Sequence, residues 1–275
     1  MVSEIHLMVK FKRINKYISD SGFCSRREAD RLVEAGRVLV NGEKAEMGSK
    51  IGIEDEVKVD GKLIETEKER VYLAFNKPTG VTCTTDLRDE DNIIDYIGYN
   101  ERIFPIGRLD KMSEGLIFLT NDGDIVNKIL RAGNLHEKEY IVKVDKDVNE
   151  DFVRMMGNGI KIMVAARGIP SEVGTSKKSH IHRAKKTLPC KVERKSNHSF
   201  RIVLTQGLNR QIRRMCETLG YKVKKLKRIR IMNVELEGIK CGEWRYLSKE
   251  EVGEIMEAVE SSVGTEDASE IEDEE

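Results

Sequence analysis

The sequence predicts an α+β protein of two unequal domains. A small N-terminal unit spans 12–66, and a larger one spans 71–257, built on a mixed, mostly antiparallel sheet flanked by helices. Three observations carry this. The first sixty residues switch from helical spacing to short β-branched runs ending in Asn-Gly and Asp-Gly. The stretch 65–70 is charged and without apolar residues, as a linker would be. From residue 71 onward many short apolar or alternating runs are separated by turn residues, with few helical patterns between them. Residues 1–11 read as a leader, and 258–275 as an acidic tail poor in core residues and therefore disordered.

In the first unit, 13–21 places Ile14, Tyr17 and Ile18 at helical spacing. Ser25 is a natural N-cap for a second helix, with Glu28 three residues on completing a capping box, and Gly36 is its stop. Val38-Leu39-Val40 runs into the hairpin signal Asn41-Gly42, and 44–45 and 55–59 supply further strands. In the second unit, strands are expected over 71–75, 81–84, 104–109, 116–119, 138–144, 199–204 and 231–236. Helices are expected over 124–130 and 209–219.

The formal charge of zero conceals a segregation. Residues 250–275 hold twelve acidic groups and no Lys or Arg, which leaves 48 basic against 36 acidic residues in 1–249, a net of +12. Between 161 and 230 there are 20 basic residues and 3 acidic ones. Such a cationic surface is the footprint of a polyanion, nucleic acid being the commonest. No apolar run reaches the ~20 residues needed to span a bilayer, and no signal-peptide pattern opens the chain. The five cysteines are scattered without a Cys-x-x-Cys pair, which argues against structural zinc or a disulfide framework and fits a reducing cytoplasm. His180 and His182 have metal-like spacing but no third ligand nearby, so neither metal nor cofactor is expected. With no coiled-coil pattern, a monomer is the default.

Basic residues cluster around the helices of the first unit: Arg13, Lys16, Arg26, Arg27 and Arg31. A helix N-terminus flanked by arginines is a natural phosphate site. The order Arg13-x-Asn15-Lys16-Tyr17-Ile18, Gly22-x-Cys24-Ser25-Arg26-Arg27, Gly36-x-Val38-x-Val40-Asn41-Gly42 resembles the alpha-L RNA-binding motif, shared by a small-subunit ribosomal protein and several RNA-modifying enzymes.

The most telling run is Gly107-Arg108-Leu109-Asp110-Lys111-Met112-Ser113-Glu114-Gly115-Leu116-Ile117-Phe118-Leu119-Thr120. It sets one carboxylate beside an arginine, in a turn that feeds an apolar strand. With Asn76-Lys77-Pro78-x-Gly80 before it, and Glu137-Lys138-x-Tyr140 and Arg210-Gln211-Ile212-Arg213-Arg214-Met215 after it, the run resembles the RsuA/RluF branch of ribosomal RNA pseudouridine synthases, and within it the RluF type. The resemblance implies isomerisation of a uridine in large-subunit (23S) ribosomal RNA, with a transfer RNA stem-loop as a further candidate. The base is flipped out, detached from C1′ through N1 and rejoined through C5.

The resemblance also implies the roles. Asp110 attacks C1′ or removes the 2′ proton, two alternatives the residues leave open. To stay ionised in a partly dry pocket it requires a cation, and the resemblance gives Arg213, whose planar fork could hold the carboxylate in two hydrogen bonds; Arg108 and Arg210 are competing candidates, better suited to phosphate or to the fold. Tyr140 stacks under the uracil and stands near the late C5 proton. Lys77, Arg108, Arg210 and Arg214 join the five cations of the first unit as RNA-binding candidates. Two departures stand out: a long basic stretch at 163–190, and Gln206-Gly207-Leu208-Asn209 where a Glu-Gly-basic pattern is common. A non-catalytic RNA-binding or ribosome-assembly factor fits the charge equally well, but has no need of the Asp110, Tyr140, Arg213 triplet. A glycosidase would want two carboxylates flanking the sugar bond.

Overall fold

In a computed structural model, residues 11–65, 69–130, 136–165 and 182–260 are described. The leader up to residue 10, the tail beyond 260, His180 and the centre of the basic stretch lie outside them. The chain divides into two compact units: Met1–Val71 with Gly98–Phe104 and Thr120–Gly123, and the remainder. The short segments 98–104 and 120–123 thus belong with the first unit. Part of the reason is local: Val71 N donates to Asn121 Oδ1 at 3.0 Å, and Thr120 Oγ1 donates to the Val71 carbonyl at 2.6 Å.

The first unit contains β1 (Lys12–Arg13), α1 (Ile14–Asp20), α2 (Arg26–Glu34), β2 (Val38–Val40), β3 (Glu43–Lys44), β4 (Lys50–Ile51), β5 (Val57–Val59) and β6 (Lys62–Leu63). Ile14 and Ile18 from α1, and Ala29, Leu32 and Val33 from α2, are buried together with Val38, Val57 and Val59 of the four-stranded sheet β3-β2-β5-β6. Ser25 caps α2, its Oγ accepting from Glu28 N at 3.2 Å. The reciprocal half of the expected box is replaced, because the Glu28 carboxylate pairs with Arg31 at 2.9 Å. Asn41 and Gly42 both have positive φ (51° and 87°), the twist a two-residue hairpin requires.

The second unit contains β7 (Tyr72–Lys77), α3 (Ile93–Ile97), β8 (Phe104–Ile106), β9 (Glu114–Thr120), α4 (Gly123–Leu130), β10 (Lys138–Val144), α5 (Glu150–Gly157), β11 (Lys161–Ala165), β12 (His182–Lys186), β13 (Lys191–Ser196), β14 (Ser199–Leu204), α6 (Gln211–Thr218), β15 (Val223–Ile231), β16 (Val234–Glu235), β17 (Trp244–Tyr246) and α7 (Lys249–Glu260). Nine strands form one sheet in the order β13-β14-β10-β15-β9-β7-β17, with β16 on β15 and β8 on β9. The sheet is mixed: β15 lies antiparallel to β10 but parallel to β9.

One core packs Leu116 and Phe118 of β9 with Ile125 and Ile129 of α4 and Ile255 and Val259 of α7. On α5, Phe152 stands 5.1 Å from the Phe200 ring and 4.4 Å from that of Tyr221, centroid to centroid.

Four expectations are corrected. Residues 81–84 form only an isolated bridge, Thr82 to Asn92, because the Val81 carbonyl is taken by the Lys77 ammonium at 2.8 Å. The strand expected over 104–109 ends at Ile106, before Gly107 turns the chain at φ 78°. The strand expected over 231–236 is the end of β15 and a short return strand, broken at Met232 with φ 53°. Helix α7 runs three residues past the expected boundary at 257, since Val259 is 1 % exposed and belongs to the core.

Candidate active site

The loop between β8 and β9 presents Asp110, and its shape is set carbonyl by carbonyl. The Asp110 carbonyl accepts from Ser113 N at 2.9 Å, and the Lys111 carbonyl from Gly80 N at 2.8 Å and Lys77 Nζ at 3.4 Å. The Met112 carbonyl accepts from Arg213 Nη2 at 3.2 Å. A loop whose consecutive carbonyls all have donors holds its side chains in one orientation, which a reacting group needs. Gly115, the second residue of β9, has φ 104°. A Cβ there would lie 2.1 Å from the Arg228 carbonyl oxygen, so only glycine lets β9 meet β15 at this point.

Helix α6 supplies the cations. Arg210 caps it in a left-handed conformation (φ 52°), a costly backbone for a non-glycine residue of the kind that clusters at functional sites. Arg213, one turn on, is 9 % exposed. Its Nε lies 3.4 Å from Asp110 Oδ2, and Arg210 Nη1 lies 3.7 Å from the same oxygen. The expected two-bond fork does not form. Arg213 Nη2 is committed to the Met112 carbonyl and to Ser113 Oγ (3.0 Å), and Nε makes no hydrogen bond. Arg213 therefore braces the loop and faces the carboxylate with its charge, leaving Asp110 unclamped. A nucleophile or base held this way keeps its lone pairs available.

Tyr140 sits on β10, 9 % exposed, opposite Arg228 in the β10–β15 register. An open cleft is lined by Arg108, Asp110, Ser113, Tyr140, Arg210 and Arg213 together with apolar residues such as Leu204 and Leu226. The cleft thus brings together Asp110, Tyr140, Arg213, Arg210 and Arg108.

Other candidates fare differently. Lys77 is fully buried, its Nζ donating to the Pro78 and Val81 carbonyls at 2.8 Å each and reaching the Lys111 carbonyl; burial holds its pKa below the ordinary lysine value. It organises the Asp110 loop and cannot meet RNA at the surface. Arg214 bonds the Met163 carbonyl and Asn209 Oδ1, tying α6 to the β11–β12 hairpin that flanks the long basic stretch. Arg13, Arg26, Arg27 and Arg31 are exposed on the first unit, whereas Lys16 is half-buried and paired with Asp20 at 2.6 Å.

Three residues of this region were not picked out from the sequence. Ser113, 1 % exposed, takes a bond from Arg213, and Gln211, 4 % exposed, accepts from Leu208 N at 3.0 Å. Arg228, 4 % exposed, donates through Nε to the Leu116 carbonyl at 2.6 Å. Arg228 is one of five cations in 224–230, a run that reads as surface unless the strand is known to be central. Among the described residues no group of His, Cys, Asp and Glu could hold a metal ion.

Comparison with known proteins shows the family of the chain. Residues 71–218 match the family model of RNA pseudouridylate synthases, and residues 12–57 that of the S4 domain. The chain is 52% identical over 252 residues to the dual-specificity RNA pseudouridine synthase RluF of Escherichia coli strain K12, covering 91% of this chain and 80% of that protein. It is 34% identical over 250 residues to the ribosomal large subunit pseudouridine synthase B of Bacillus subtilis strain 168, covering 88% and 94%. A crystal structure of a pseudouridylate synthase superposes with a TM-score of 0.59 at 27% identity, over 88% of this chain and 99% of that one. A family match over more than half of the chain, behind an N-terminal S4 domain, places this chain in the RNA pseudouridine synthase family.

Proposed function

We propose that the chain converts a uridine of large-subunit ribosomal RNA to pseudouridine in the Asp110 cleft. The observation that carries the assignment of the cleft is the juxtaposition, on one wall, of a partly exposed carboxylate with a buried guanidinium 3.4 Å away. The names of the relatives in Escherichia coli and Bacillus subtilis support the RNA class. The word dual-specificity in the former supports a second RNA, for which a transfer RNA stem-loop is the candidate. A monomer working in the cytoplasm completes the proposal; among the described residues no helix is long and apolar enough to cross a membrane.

A uridine must first leave its stack, at a cost of a few kcal/mol that is least for a loop base. The base then lies against Tyr140 while Asp110, steadied by Arg213, takes C1′ or the 2′ proton. Exposed cations of both units hold the phosphates, so binding weakens steeply with salt. Arg108, exposed and lining the cleft, stacks where the flipped base was.

The test is tritium release from ribosomal RNA labelled at uracil C5. Wild type releases tritium and Asp110→Asn does not. Equal release by both removes Asp110 from the chemistry. No release by either, on correctly assembled substrate, points to an RNA-binding protein that has lost activity.

A further inference from the structure

Arg228 lies at the centre of the large sheet, with Tyr140 as its register partner on β10 and Gly115 on β9. Its guanidinium carbon is 6.0 Å from the centroid of the Tyr140 ring. Nε is fixed by the Leu116 carbonyl, while Nη2 is buried and has no hydrogen-bond partner. Among the described residues no carboxylate pairs with it. The charge is felt nearby: Lys138, two residues from Tyr140 on the same strand, has its pKa pushed down to about 8 by burial and then by Arg228. The buried Lys77 ammonium is a second cation within reach of the Arg228 charge. Lys77 faces the Asp110 charge and has carbonyl acceptors, but Arg228 has no paired carboxylate; a buried cation of that kind is expensive, and a fold that keeps it gains when negative charge arrives.

We propose that Arg228 is a positioning residue acting through Tyr140: it fixes the ring as a floor for the uracil and supplies positive potential beneath the base while the base is detached as an anion. The proposal rests on the reading of Asp110 and Tyr140 given above. When the N1–C1′ bond breaks, its electron pair stays on the base. The uracil carries one negative charge, and Asp110 loses its own by bonding C1′ or by taking the 2′ proton. The pair returns from C5 to C1′, the carboxylate is released or gives back the proton, C5 loses its proton and N1 gains one. No oxidant or further reactant is needed. Between cleavage and rejoining, the charge sits on the base. A fixed cation behind the ring on which the base rests stabilises that state without having to reorganise.

The test compares Arg228→Met and Arg228→Lys with wild type under single-turnover conditions, on RNA containing uridine and on the same RNA containing 5-fluorouridine. Cleavage is read as loss of the parent nucleoside after digestion and chromatography. Fluorine at C5 makes the base a better leaving group, so its departure depends less on a nearby cation. We expect Arg228→Met to slow uridine by about ten- to fiftyfold. The 5-fluorouridine rate should fall several-fold less, RNA affinity should stay within about twofold, and Arg228→Lys should recover most of the loss. An equal loss on both bases, or none on uridine, overturns the proposal; the first outcome would leave only a packing role. If Arg228→Met does not fold, Arg228→Gln, which retains a donor for the Leu116 carbonyl, makes the same comparison. Asp110→Asn separates the two readings. Should it react normally, the site assignment is at fault. Should it be inactive while the Arg228 variants show no base dependence, only the present inference fails.

Discussion

Replacing Arg213 by lysine keeps the charge and removes the geometry. In the wild type one nitrogen, Nη2, holds both the Met112 carbonyl (3.2 Å) and Ser113 Oγ (3.0 Å), while Nε faces Asp110 Oδ2 at 3.4 Å. A lysine ammonium is one atom and cannot occupy both places. It either braces the loop and leaves the carboxylate, or pairs with Asp110 and abandons two buried acceptors. A hydrogen bond from a charged donor contributes about 1.5–3 kcal/mol, and one of the two loop bonds can be rescued. The net loss is therefore about 2–3 kcal/mol in the positioning of residues 110–113. Spent wholly against the transition state, that is a fall of roughly 30- to 150-fold in rate. Arg213→Met, which also removes the charge, should fall further, by roughly a thousandfold or more. Single-turnover tritium release at saturating enzyme measures the rate, and filter binding measures RNA affinity, which should change less than about twofold because Arg213 is 9 % exposed. A lysine variant within threefold of wild type, or a loss confined to affinity, would refute the bracing argument.

Gly115→Ala should cost more than about 3 kcal/mol in urea denaturation, the added methyl meeting the Arg228 carbonyl at 2.1 Å at a φ that side chains disfavour; a fully stable variant would mean that β9 and β15 do not meet here. Lys77→Met leaves the Pro78 and Val81 carbonyls without their donor, whereas the Lys111 carbonyl keeps Gly80 N, so a loss of about 2–4 kcal/mol is expected together with reduced tritium release. Unchanged RNA affinity in that variant would separate loop bracing from phosphate contact. Glu139, 5 % exposed, is held below the ordinary carboxylate pKa by its bond to Arg201 first and by Arg230 as well. Because its folded pKa is depressed, its contribution is complete above the unfolded value and disappears as pH falls through the folded one. The wild type should therefore lose more stability than Glu139→Gln between pH 7 and pH 3, read from urea midpoints, and parallel losses would contradict this.

The candidate site was legible through the resemblance carried by three short runs, the turn with Asp110, the strand with Tyr140 and the helix with Arg213; taken alone, Tyr140 reads as an ordinary core tyrosine in an alternating strand. The cross-links between these runs were not legible. Nothing in 76–80 says that Lys77 points into the protein, since β7 is buried on both faces and gives no alternation to read. Arg228 misled in the same way, as one of several cations in a strand that turns out to be central. β13, with the sequence Lys-Val-Glu-Arg-Lys-Ser, is almost wholly exposed, an edge strand held by its ladder with β14 and lacking an apolar stripe. Helix α5 was readable in principle, from Asn149 as cap and Phe152 and Met156 four apart, but its surroundings are polar enough to hide it. Glutamates masked α7 similarly, although Ile255 and Val259 are its buried face.

The place of β15 in the strand order has a consequence for how the enzyme comes into being. Residues 223–231 slot between β10 and β9, which precede them by about a hundred positions. Until that late segment has emerged during synthesis, the earlier strands are two half-sheets with bare edges facing each other. Such distant pairing makes for slow maturation and a period of vulnerability to aggregation. It also means that the S4 domain is synthesised well before the large sheet can close.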